Sequence, residues 1–153
     1  MTRSAAIFDM DGTLCDVTGI RHLLGVGKSG RRNKRNFDAF HEESVNCPPN
    51  DWVLRNARWL NDQDVAIIVV TARKSRWFNV TWWWLRENGV PFDRLYMRDD
   101  WDQRKDAIVK GEILDRIWRE GFDPVIAYDD NPNVIALWEA SGIPTVRVPG
   151  WID

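Results

Sequence analysis

Short apolar runs alternate with longer stretches of helical spacing along this chain. The runs at 5–8, 65–70, 94–97, 125–128 and 145–148 have the length of strands rather than of helices. Between them, at 51–61, 75–88, 103–120 and 133–141, apolar residues recur at three- and four-residue intervals, as one helical face requires. Asn88-Gly89 before Pro91 and Ser141-Gly142 before Pro144 read as helix stops. Strands alternating with helices predict parallel βαβ units, and hence one α/β, Rossmann-like domain over 1–153 with a central parallel sheet and helices on both faces. The alternation breaks between 15 and 50. That irregular stretch is expected to form a small insert after the first strand, over or beside the carboxyl edge of the sheet.

Composition narrows the class. A chain of 153 residues with 44% hydrophobic and 29% charged residues has enough material for a core. Its net charge of −2 argues against coating a polyanion with the whole surface, so such a substrate would need a local basic patch. The insert offers one in Lys28-Ser29-Gly30-Arg31-Arg32-Asn33-Lys34-Arg35. The apolar run at 65–70 is too short to span a bilayer, and Met1-Thr2-Arg3-Ser4 leads straight into a strand. No signal peptide and no membrane partner are expected, and the expected location is cytoplasmic. Cys15 and Cys47 lack metal-ligand spacing and are expected as free thiols. Tryptophan is over-represented, with ten residues. Trp82-Trp83-Trp84 cannot all face a core, because consecutive helical side chains diverge. Trp52 and Trp59, seven apart, are expected on one buried face, and base stacking by one or two tryptophans is the alternative to scaffold packing.

The chemistry concentrates at strand ends. Ile7-Phe8-Asp9-Met10-Asp11-Gly12-Thr13 is an apolar run ending in two carboxylates, and Gly12 allows a sharp turn after them. Alternation places Asp9 and Asp11 on one side of the chain, so they need a cation, a shared proton or different roles. Ala127-Tyr128-Asp129-Asp130-Asn131 adds a second carboxylate pair at another strand end. Four carboxylates without Cys or His point to a hard cation, Mg2+. Val69-Val70-Thr71-Ala72-Arg73 supplies a hydroxyl and a forked guanidinium for phosphate oxygens. Gly25-Val26-Gly27-Lys28-Ser29 imitates the end of a P-loop, but His22 stands where the first glycine belongs and no buried strand precedes it.

The Asp-x-Asp-Gly-Thr motif with Thr71, a helical lysine and the Asp129-Asp130 pair, in this order, resembles the haloacid dehalogenase (HAD) superfamily. More narrowly, the segments Arg104 to Lys110, Val70 to Arg73, Ala127 to Asp130 and Val134 to Trp138 resemble the 3′-phosphatase domain of phage-type polynucleotide kinase/phosphatase. That resemblance implies a HAD fold and a Mg2+-dependent phosphatase. Asp9 is the implied nucleophile, Asp11 the general acid and base, and Thr71 and Lys110 the remaining catalytic pair. Lys110 is preferred over Lys105 for the lysine. The resemblance further implies Asp9, Asp129, Asp130 and Asp11, the last through its carbonyl, as metal ligands. It implies substrate contacts from Thr71, Arg73, Asp106, Lys110 and Arg21, the last being an approximate match only. The implied substrate is a 3′-phosphorylated nucleic acid end, DNA or RNA. With no kinase domain in the 153 residues, a separate kinase or ligase partner is implied. A small-molecule or mononucleotide phosphatase is the alternative. A phospho-receiver module fits less well, since Val148-Pro149-Gly150 after the last strand carries no lysine.

Overall fold

In the computed structural model, residues 2–24 and 34–151 are described. Residues 25–33, which include the P-loop look-alike and most of the basic run Lys28–Arg35, lie outside them. Five parallel strands form one sheet in the order β3-β2-β1-β4-β5: β1 Arg3–Phe8, β2 Ala66–Lys74, β3 Arg94–Arg98, β4 Phe122–Asp129 and β5 Thr145–Arg147. The helices are α1 Lys34–Glu43, α2 Asp51–Asp62, α3 Phe78–Glu87, α4 Asp106–Arg119 and α5 Pro132–Ala140. Short 3-10 turns cover Thr18–Leu24, Ser44–Asn46 and Ser75–Trp77. The α/β architecture with a parallel sheet is therefore as expected.

β1 is central because Ala5, Ala6, Ile7 and Phe8 are apolar on both faces, as a doubly covered parallel strand requires. Ala6 and Phe8 pack with Ile67, Val69, Val53, Leu54 and Trp84 under α2 and α3. Ala5 and Ile7 pack with Ile68, Val70, Ile113, Leu114 and Trp138 under α4 and α5. Each fully buried aliphatic or aromatic side chain here contributes roughly 1.5–3 kcal/mol. The chain leaves β1 towards β2 and β3, then crosses to β4 on the other side, so the switch point lies between β1 and β4. Ligands in open α/β sheets bind beyond the carboxyl ends of strands at such a point.

Several boundaries differ from the sequence expectation. β2 continues past Val70 to Lys74, with a register shift against β3. β4 begins at Phe122 despite Pro124, which lacks a ladder donor; the register against β1 shifts between Ala5 and Ala6. α4 starts only at Asp106, because Asp102 bends the preceding chain by accepting from the Arg104 amide at 3.0 Å. The insert is partly helical, through α1 and the 3-10 turns Thr18–Leu24 and Ser44–Asn46.

The expected buried Trp52 and Trp59 face is not found. Trp59 is 61% exposed and Trp52 only half-buried. The buried stripe of α2 is Val53, Leu54 and Ala57. At 3.6 residues per turn, both tryptophans fall roughly 150° from its centre. Two tryptophans, Trp84 and Trp138, are fully buried, whereas Trp59, Trp82, Trp83, Trp101, Trp118 and Trp151 stand exposed. Cys15 and Cys47 are free and buried. No described helix is long and apolar enough to cross a membrane.

Candidate active site

β1 ends in a tight loop that sets the first carboxylates. The Asp9 amide donates to the Tyr128 carbonyl at 3.0 Å, tying the start of the loop to β4. Gly12 adopts φ +82°, and a Cβ there would overlap the Asp130 carboxylate. A Cβ on Gly150 would overlap the Gly12 carbonyl, so glycine at both positions lets the segment after β5 close on the loop after β1.

Asp9 is buried and held at both oxygens. Thr13 Oγ1 donates to Oδ2 at 3.1 Å and Lys110 Nζ to Oδ1 at 2.9 Å. The same ammonium donates to Asp129 Oδ2 at 2.9 Å. Asp129 also accepts from the Asn131 amide at 3.1 Å and from Trp138 Nε1 at 3.4 Å. Asn131 caps α5 by accepting from the Asn133 amide, which fixes the turn presenting Asp130. Carboxylate oxygens of Asp9, Asp129 and Asp130 lie within 4.8 Å of one another.

One ammonium does not balance three buried carboxylates. Burial, followed by the charge of Asp129, holds the Asp9 carboxyl well above its ordinary range. Burial also pushes Asp130 up to about 6, with Asp129 adding to the effect. Burial alone would disfavour the Lys110 ammonium, but Asp129 and Asp9 outweigh it and raise its pKa. An all-oxygen, under-neutralised cluster of this span fits a hard divalent cation.

Asp11 is set apart from that cluster. Its carboxylate receives a two-pronged contact from Arg73, Nε to Oδ2 at 2.9 Å and Nη2 to Oδ1 at 2.5 Å. Burial works to raise the Asp11 pKa, yet the charge and hydrogen bonds of Arg73 prevail and hold it below the usual range. Arg73 is itself buried and gives its remaining nitrogen to Thr81 Oγ1 at 3.1 Å. Thr71, also buried, accepts from the Arg73 amide at 3.2 Å.

Asp9, Asp11, Arg21, Thr71, Arg73, Asp106, Lys110, Asp129 and Asp130 all line one cavity of about 930 Å3 at the carboxyl edge of the sheet. Two of these residues are turned to structural partners. Arg21 donates to the Gly150 carbonyl, and Asp106 accepts from Arg98 Nη2 at 2.7 Å. Lys105, the discarded lysine, lies at the start of α4, where its carbonyl accepts the Ile108 and Val109 amides.

Sequence reasoning did not single out Arg98, Asp102 or Arg104. Arg98 bonds the Ala72 carbonyl at 2.9 Å and the Arg104 carbonyl at 2.5 Å. Arg104 in turn grips Asp102 and Glu112. This network joins the end of β2 to the start of α4, and so holds Arg73 and Lys110 in fixed relation. The acid–base spacing of Asp102, Arg104 and Asp106 was the available signal. Thr13 and His41 were also missed as site residues; Thr13 sits inside the first motif, whereas His41 carries no spacing signal.

Among solved structures, a chain of a Pnkp1/Rnl/Hen1 RNA repair complex is similar over 96% of this chain, at 24% identity and a TM-score of 0.79. The match covers 42% of that longer chain, so the present sequence spans less than half of it. A class C acid phosphatase from Bacillus anthracis with tungstate bound matches over 99% of this chain and 69% of its own, at 14% identity and a TM-score of 0.69. A phospho-aspartyl intermediate analogue of phosphoserine phosphatase matches over 96% of this chain and 87% of its own, at 15% identity and a TM-score of 0.60. These likenesses establish the HAD-like fold. The family model of the polynucleotide kinase PNKP phosphatase domain matches residues 3–150. By that match over nearly its whole length, the chain belongs to the PNKP phosphatase-domain family of HAD phosphatases.

Proposed function

We propose that this protein is a Mg2+-dependent phosphomonoesterase acting through an aspartyl-phosphate, and that its substrate is the 3′-phosphate of a nucleic acid end. The observation that carries the reading is Asp9, a carboxylate aimed by Thr13 and Lys110 at the floor of a cavity that also presents Thr71 and Arg73. The PNKP family match supports the choice of substrate.

In this mechanism, an Asp9 oxygen attacks phosphorus and the ester oxygen departs, splitting one difficult displacement into two easier ones. Thr71, Arg73 and Lys110 hold the equatorial oxygens of the transferring group. Asp9, Asp129, Asp130 and the Asp11 carbonyl would hold the Mg2+, which supplies positive charge against an anion approaching an anion. Asp11 donates a proton to the leaving oxygen and later takes one from the attacking water. Its pairing with Arg73 favours the carboxylate, and so the second of these tasks. An arriving phosphate competes for the Arg73 guanidinium and loosens that hold, which readies Asp11 for the first.

Phosphate release in Mg2+ from an oligonucleotide with a 3′-phosphate, beside the 5′-phosphorylated oligomer and a small ester, tests the reading. Strong preference for the 3′ end is expected, with a loss at raised salt that the small ester does not share. Equal or better turnover of the small ester would overturn the substrate assignment and leave the aspartate chemistry. One observation favours that second reading, a small-molecule phosphatase: exposed Asp99 and Asp100 place negative charge beside the cavity, Asp100 bonding the amide of cavity-lining Arg76. A ligase or kinase partner is proposed by analogy with the Pnkp1/Rnl/Hen1 RNA repair complex.

A further inference from the structure

The proposed catalytic groups account for only part of the cavity lining. Its volume of about 930 Å3 is near the top of the roughly 300–1,000 Å3 range of small-molecule pockets, far beyond what a phosphoryl group fills. Besides the polar groups Asp9, Thr71, Arg73 and Lys110, the cavity is lined by an aromatic wall of Phe37, Phe40 and His41 from α1 and Trp77 from the turn after β2. The His41 and Trp77 rings lie 5.5 Å apart at 49°, forming a corner rather than a stack. Phe40 meets His41 edge-on at 5.4 Å and 76°, which steadies the imidazole. The indole is half-buried, and His41 is only 8% exposed.

His41 has an unmet need. Its buried Nδ1 has no hydrogen-bond partner among the described residues. Burial pushes its pKa down to about 4, so at neutral pH the ring carries one donor and one acceptor nitrogen. Leaving such a nitrogen unpaired costs stability unless a bound group supplies the partner.

We propose that this wall is the leaving-group subsite and holds the terminal nucleobase of a 3′-phosphorylated strand, the base lying on the Trp77 indole and hydrogen-bonding His41. The inference rests on the phosphatase reading above and names the part of the substrate that α1 and the turn after β2 recognise. A nucleobase matches both demands, having a flat face for the indole and donors and acceptors at its edge. A purely apolar group would leave the imidazole nitrogen unpaired, and a bare sugar would leave the indole uncovered.

The test compares two oligonucleotides with terminal 3′-phosphates, identical except that one ends in an abasic sugar. The base-bearing end is expected to show a kcat/KM higher by roughly 5- to 150-fold, the range that base–aromatic stacking supplies. In Trp77→Leu that ratio should fall towards one. In His41→Phe, which keeps a ring of similar size, it should fall by a smaller factor. Should Trp77→Leu fail to fold, the wild-type ratio and His41→Phe still decide. Equal turnover of both ends by the wild type would refute the subsite while leaving the phosphatase intact, as would variants that slow both ends equally. Turnover of a small ester with release from neither oligonucleotide would remove the nucleic-acid reading and the subsite with it.

Discussion

Replacing Lys110 with methionine removes the one ammonium that contacts both Asp9 and Asp129, and leaves a side chain of similar length. Each contact is 2.9 Å, and Lys110 is 2% exposed. At an effective dielectric of about 20, Coulomb attraction is roughly 6 kcal/mol per contact. Desolvation of the ammonium offsets much of that, so the net loss expected is the about 3–5 kcal/mol typical when one partner of a buried pair is removed. For a domain of this size, that corresponds to roughly 6–20 °C in Tm. Thermal unfolding by circular dichroism, in EDTA and in millimolar Mg2+ at pH 7.5, measures it. The variant should recover more stability from Mg2+ than the wild type does, because its three carboxylates have lost their counter-charge; a cation at 100 times its Kd contributes about 2.7 kcal/mol. A loss below about 1 kcal/mol in EDTA, or an equal response to Mg2+ in both proteins, would refute the claim that Lys110 neutralises the cluster.

The remaining predictions concern charge and chemistry. Asp130, raised to about 6 from an ordinary 3.8, gives metal-free protein stability that is lost as pH climbs through 6, about 3 kcal/mol in all. His41, lowered to about 4 from 6.5, acts oppositely, since the unfolded chain takes its proton first; its stability is lost by about 3 kcal/mol as pH falls from 6.5 to 4. In EDTA, Tm should therefore decline more steeply between pH 4.5 and 7 in His41→Phe than in the wild type, and less steeply in Asp130→Asn, where Asp9 still loses stability with rising pH; changes of slope in the reverse sense would contradict the assignments. Asp9→Asn should abolish phosphate release yet keep or raise Tm in EDTA, since it removes one of three crowded carboxylates; full activity would exclude Asp9 as nucleophile. Arg73→Lys should lower kcat/KM at least tenfold, because a point charge cannot reproduce the fork that engages both Asp11 oxygens and a phosphate; steady-state kinetics on a 3′-phosphorylated oligonucleotide reads it.

The groups lining the cavity were legible where chemistry coincides with a change of pattern. Asp9, Thr71 and Asp129 each follow an apolar run, and a parallel sheet brings such ends to one edge. Lys110 was legible only through its flanking residues, since neither charge nor helical position distinguishes it from Lys105. Asp106 was legible through the family resemblance, but its partners Arg98, Asp102 and Arg104 were not, because the Arg98 bonds run to backbone carbonyls as much as to side chains, and sequence spacing does not encode those. Trp59 misled for a related reason. Seven-residue spacing places two side chains on one face without saying which face, and the compact residues Val53, Leu54 and Ala57 decide it.

The central place of β1 has a consequence for how the protein is made. Its β2 edge can pair as soon as residues 66–74 leave the ribosome, but its other edge waits for 122–129. At translation speeds of 5–20 residues per second, that wait is roughly 2–10 s. During it, an apolar edge lies open to wrong partners. The carboxylate cluster is equally late, since Asp9 and Lys110 are 101 residues apart in sequence. Closing so long a loop costs about 2 kcal/mol more than closing a ten-residue one. Sheet closure and assembly of the carboxylate–ammonium cluster thus wait for the same late segment, and a nascent chain carries Asp9 long before Lys110 and Asp129 can reach it.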